Sequence, residues 1–156
     1  LDEGYKGTIS NAVIALTAST DGAFEIDGTE DSSGTIDGQY TLQNVTVYGS
    51  ATQEDTSQYG NWKSDATGLN HNIVYKSFNS GTTIAGIDAD TYGGQGTATA
   101  ASKNFFNNFD FVTADALSTI MPTAITDGAT WAETVTTQVA STGADESVLS
   151  WTLFVD

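Results

Sequence analysis

Apolar residues in this chain alternate with polar ones along short runs, and only one brief stretch suits a helix. Leu149, Trp151, Leu153 and Val155 stand on alternate positions, with Ser150 and Thr152 between them. That spacing puts one face of an extended strand into a core. Val148 and Phe154 add apolar residues to the second face, which predicts cover on both sides. A strand this apolar needs a partner, because an open apolar edge invites aggregation. The nearest partner is 129–140, where Trp131, Val135 and Val139 share a face and Ser141–Asp145 supplies the turn.

The same reading runs through the rest of the chain. A first strand falls in 7–19, with Ile9, Val13 and Ala15 on one face and Ala12, Ile14 and Leu16 on the other. Asp21-Gly22, Asp27-Gly28 and Asp37-Gly38 are tight-turn dipeptides, since Gly accepts positive φ and Asp tolerates it. Along 40–48 the apolar phase flips between Leu42 and Val45, which predicts a bulge at Gln43-Asn44. Further strands are expected near 59–63, 72–78, 82–87 and 105–112. The helix is expected near 114–121, capped by Thr113 and stopped by Pro122. No internal repeat or linker stands out. Nine or ten short strands with one helix predict an all-β fold, a single β-sandwich domain over 1–156 of jelly-roll or immunoglobulin-like type.

Charge narrows the partners. Twenty acidic residues face four lysines and no arginine, a formal net charge of -16. Nucleic-acid binding requires Lys and Arg to displace counterions, so it is excluded. Anionic membrane surfaces are disfavoured for the same reason, and no apolar run approaches the roughly 20 residues of a membrane span. Cysteine is absent, which removes disulfides and thiolate chemistry. Threonine is about one residue in six. With a start at Leu1 that reads as processed, this composition points to an exported, extracellular or cell-surface protein.

Motifs for chemistry are sparse. His71 is the single histidine, and no nucleophile elbow accompanies it, so no catalytic set is expected. Asp88 and Asp90, followed by Gly93, match the first half of a calcium loop, but Thr99 stands where the bidentate Glu belongs. Calcium is the one metal this pattern would suit, and no other cofactor is indicated. Tyr59 and Trp62 are candidate stacking platforms for a sugar ring. Asn44-Val45-Thr46 is a glycosylation sequon at Asn44.

These features favour a secreted structural protein that self-assembles, in the manner of a pilus or other extracellular filament, by β-strand addition between copies. The exchanged strand would be the N-terminal segment 1–19, through Ile9, Val13, Ile14 and Leu16, or the C-terminal strand, through Leu149, Trp151, Leu153 and Val155. A module for surface polysaccharide, with or without calcium, is the alternative reading. A viral coat or tail subunit is the third.

Overall fold

A computed structural model describes residues 5–17, 22–28, 39–50, 59–63, 67–87, 92–96, 104–121, 130–139 and 141–149. Its strands are β1 (Gly7–Ala15), β2 (Glu25–Asp27), β3 (Tyr40–Tyr48), β4 (Gly60–Lys63), β5 (Gly68–Lys76), β6 (Ala85–Ile87), β7 (Tyr92–Gln95), β8 (Asn104–Val112) and β9 (Ala132–Val135). One short helix, α1 (Leu117–Ile120), and a 3₁₀ turn (Glu146–Leu149) complete the described elements.

All strand pairs are parallel. The larger sheet runs β1-β3-β5-β8-β7, with β9 also on β8, and the smaller runs β2-β4-β6. This overturns the expected β-sandwich, whose jelly-roll and immunoglobulin forms are antiparallel. Hairpin turns do not join these strands. From β1 and from β3 the chain crosses to the smaller sheet and returns one level on, as a parallel β-solenoid does; from β5 it crosses to β6, then lays down β7 before β8. The first three levels are β1 with β2, β3 with β4, and β5 with β6. β8 forms the fourth. The fifth is split: β7 pairs with the first part of β8 and β9 with the last part.

The flip in apolar phase near Asn44 is real, but it is not a bulge. Gln43 pairs with His71 and Val45 with Ile73, so no residue is inserted. Asn44 instead takes a left-handed conformation, φ 52°, and Asn11, Asn72 and Asn108 do the same at 55°, 61° and 55°. Each is the fifth residue of a nine-residue strand. Asn is the non-glycine residue that best tolerates this backbone, because its short amide bonds locally. The turn reverses which side chains point inward, so both halves of every strand serve the core. The four strands are thus a repeat, with Asn as its one shared identity.

Inward columns hold the core. Ala12, Val45, Ile73 and Phe109 stack in one, and Ile14, Val47, Tyr75 and Phe111 in the next. Trp62, between Ile26 and Ile87 in the smaller sheet, faces them across the interior, its ring 5.4 Å from Phe106. A polar network threads this interior. Tyr40 donates its hydroxyl to Asn104 Oδ1, Asn70 donates to the Tyr40 hydroxyl at 3.0 Å, and Trp62 Nε1 donates to Asn70 Oδ1 at 2.9 Å. Gly68 admits the Tyr40 ring, since a Cβ there would lie 2.3 Å from ring carbon Cε1.

The helix is shorter than expected. It begins after Ala116 with no side-chain cap, and Thr113 accepts the Asp115 amide instead. Asp115 in turn accepts from Gly81 N and Ser80 Oγ. The expected C-terminal strand also differs at its start: Glu146–Leu149 is 3₁₀, and Ser150–Asp156 lies outside the described residues.

Asn72→Ala should lower unfolding stability by roughly 2–3 kcal/mol, from two lost amide bonds and a left-handed alanine. Asn72→Gly should lose less, since glycine accepts the backbone. Urea unfolding of both variants checks this; equal losses would mean that the turn backbone is not under constraint.

Candidate functional site

The four corner asparagines line up along the outside of the solenoid, and three of them are linked by amide-to-amide bonds in a ladder. Asn108 Nδ2 donates to Asn72 Oδ1 at 2.8 Å, and Asn72 Nδ2 donates to Asn44 Oδ1 at 2.7 Å. At the first level Asn11 Oδ1 accepts instead from the backbone of Asp145 at 2.7 Å. A groove of about 460 Å³ lies between this ladder and the segment 138–146, lined by Asn11, Asn44, Asn72, Gln138 and Ser141 among others.

That segment is a strap across the outer face, and its contacts step down the levels. Gln138 accepts from Lys76 Nζ on β5 at 2.9 Å. The Ala144 amide donates to Thr46 Oγ1 on β3 at 3.0 Å, and the Asp145 amide reaches Asn11 on β1. Gly143, φ 87°, allows the close approach, because a Cβ there would stand 2.6 Å from Thr46 Oγ1. Glu146 fixes the end: Lys76 Nζ lies 2.9 Å from its Oε1, and the Tyr48 hydroxyl donates to its Oε2 at 2.5 Å. Lys76 also lies 4.3 Å from the centre of the Tyr48 ring. Burial pushes the Glu146 carboxyl up, but bonds from Tyr48 and Lys76 outweigh it and hold the group below its ordinary range.

The two ends of the solenoid differ. β1 pairs only with β3 among the described residues. Its inward residues Ile9, Ala12 and Ile14 are half-buried, whereas Leu42, Val45 and Val47 on the next level are fully buried. β1 carries no charge and no proline, the devices that usually blunt a sheet edge. Leu16 N donates to Tyr48 O, so by alternation the Val13 and Ala15 backbone groups point away from β3, to the open edge. The far end is occupied by β7 and β9, tied together by the bond from Trp131 Nε1 to the Tyr92 hydroxyl at 2.7 Å.

The expected site residues are dispersed. Ile9, Val13 and Ile14 lie on the open strand, and Leu16, just beyond it, is buried. Leu149 ends the 3₁₀ turn, and Trp151, Leu153 and Val155 lie outside the described residues, as do Asp88 and Asp90. No group of three or more His, Cys, Asp or Glu is placed to hold a metal among the described residues. Tyr59 and Trp62 are core residues, each at most 1% exposed, so neither ring is available to a sugar. Asn44 is a ladder residue, its Oδ1 engaged by Asn72. His71 is exposed on β5, in a column with Ser10, Gln43 and Asn107.

Sequence reasoning missed the ladder and Asp110. Asp110 is 1% exposed with neither carboxylate oxygen hydrogen-bonded, and Glu133 is directly opposite it on β9. Its counterparts on the other levels are Val13, Thr46 and Val74. No protein-family model matches the chain, and no curated protein or solved structure is detectably similar to it.

The strap should respond to acid. Glu146 titrates lower in the folded state than unfolded, so its contribution is present above the ordinary carboxylate range and is lost as pH falls through the folded value. The stability advantage of the wild type over Glu146→Gln should therefore be full at pH 7 and shrink progressively as pH falls below the ordinary Glu value of about 4.3; an advantage undiminished in strong acid would place the strap's anchor elsewhere. Asp110→Val should raise stability by about 1–3 kcal/mol, because valine fits this column and removes an unbonded buried carboxylate. Denaturant titration gives the sign directly.

Proposed function

We propose that the chain is a structural surface protein that builds extracellular assemblies by strand addition at β1. The observation that carries this reading is the open edge of β1, nine uncharged residues long, above half-buried Ile9, Ala12 and Ile14. A strand laid along β1 would bond to the outward backbone groups of Val13 and Ala15 and bury those three side chains. Backbone bonds would supply strength, and the inward column would supply register.

The donor strand comes from a neighbouring copy. The strap steps from Lys76 through Thr46 to Asn11, toward the open edge, and Trp151, Leu153 and Val155 follow it in sequence. Their alternation suits an added strand with one buried face. Exchange of this kind is head-to-tail, and a head-to-tail contact that does not close makes a fibre. The acidic, cysteine-free composition supports an extracellular setting.

Val13→Pro tests the edge without breaking the β1–β3 pairing, because the lost amide points outward. It should abolish polymers seen by electron microscopy while leaving a folded, monomeric chain by circular dichroism. Polymers that survive both Val13→Pro and removal of 150–156 would rule out strand addition at this edge.

A further inference from the structure

We infer that Asp110 and Glu133 bind a hard divalent cation, calcium or magnesium, between β8 and β9. Asp110 is 1% exposed, and both of its carboxylate oxygens are shut off from water without a hydrogen bond. Among the described residues it is the one carboxylate with both oxygens in this state. Buried charges in proteins are paired or bound to metal ions, because a bare carboxylate loses its hydration and gains nothing in return.

No described lysine serves Asp110. Lys63 is engaged by Glu25 and Asp27 on the smaller sheet, and Lys76 by Glu146 of the strap. Lys6 precedes β1, at the opposite end of the solenoid. The neighbour that the fold gives Asp110 is a second carboxylate. Asp110 pairs with Glu133 in parallel register, between the pairs Phe109–Ala132 and Phe111–Thr134. Phe109 and Phe111 point into the core, so Asp110 and Glu133 leave the outer face side by side. The same column holds Val13, Thr46 and Val74 on the earlier levels, so charge enters it only where β8 meets β9. Glu133 is exposed, and no hydrogen bond or ion pair holds it to a described residue, so its carboxylate can turn toward Asp110.

The spacing suits one ion. Adjacent strands lie about 4.8 Å apart, and calcium–oxygen distances are roughly 2.4 Å. An ion midway between the two carboxylates therefore reaches both. Magnesium also binds through one or two carboxylates and keeps several waters, so a pair is enough to hold either ion. The donors are oxygens alone, since the chain has no cysteine and its single histidine, His71, lies on β5 in another column. Oxygen donors select a hard cation over zinc or copper, and a double charge balances the two carboxylates. Because both Asp110 oxygens are sealed, the ion enters through a local opening. The site lies at the far end from β1, so it stands or falls apart from the assembly reading.

The test uses the full chain, stripped with EDTA and returned to chelator-free buffer at fixed ionic strength. Calcium chloride and magnesium chloride are titrated by calorimetry, and thermal unfolding is followed with and without each. One ion per chain should bind, and it should raise Tm, because a ligand of the folded state stabilises it. Asp110→Val is the deciding variant. Without divalent ions it is the more stable chain, as argued above, so loss of folding does not obscure the result. It should lose both the binding and the rise in Tm. Glu133→Gln should weaken binding about tenfold or more. Glu25→Gln removes one charge from the smaller sheet and should change neither, which separates the site from general attraction to a chain of net charge -16. Failure of both ions to bind, a rise in Tm that Asp110→Val keeps, or binding that Glu133→Gln leaves unchanged would each overturn the assignment.

Discussion

The left-handed asparagine at the middle of each long strand is the constraint on which the rest depends. Without it, a nine-residue strand would offer alternate residues to the core along a single straight face. With it, Leu42 and Val45 both point inward although three positions separate them. The amides of Asn72 and Asn108 bond to the level before them and Asn11 accepts from the strap, so the left-handed backbone and these bonds stabilise one another. Parallel register then follows, since a one-residue slip would bury the wrong set of side chains and also take the amides out of line.

That arrangement lets the core vary while the corner does not. The column Ala12, Val45, Ile73 and Phe109 grows in volume from one end of the solenoid to the other. The first level is half-covered because no described strand lies beyond it, and the large rings of Phe106, Phe109 and Trp131 fill the far end. The Tyr40, Asn70, Asn104 and Trp62 network adds specificity at the centre. Its buried donors and acceptors find partners only in this register, and a misplaced level would leave them unbonded in an apolar surround.

Several strands were legible in the sequence because alternation is a local property. The long strands β1, β3 and β8 all fall within stretches that alternate. The pairing was not legible. Asp-Gly dipeptides suggested hairpins, and hairpins imply antiparallel sheets, whereas the chain crosses to a second sheet before it returns. The repeat was hidden because Asn11, Asn44, Asn72 and Asn108 are unevenly spaced and share little else with one another. The phase flip at Asn44 was the available signal, and finding the same flip in the other three strands would have disclosed the ladder. Tyr59 and Trp62 misled for a general reason: an aromatic residue reads alike in sequence whether it lines a core or a surface.

The two ends of the solenoid follow from one consequence of stacking. Each level is completed by its neighbours, so the terminal levels must be capped or left able to bind. The far end is occupied by two separate segments, β7 and β9, and among the described residues no further amide follows Asn108 in the ladder. The near end has a full strand, β1, whose inward side chains are half-covered and whose outward backbone edge pairs with no other described strand. The strap links the two conditions. It leaves β9 at the capped end, crosses the outer face on Lys76, Tyr48 and Thr46, and gives its Asp145 amide to Asn11 Oδ1. The corner of the near end is thus engaged by the strap at Asn11, while β1 beside it pairs with no described strand but β3, and it is this edge that the proposed strand addition would use.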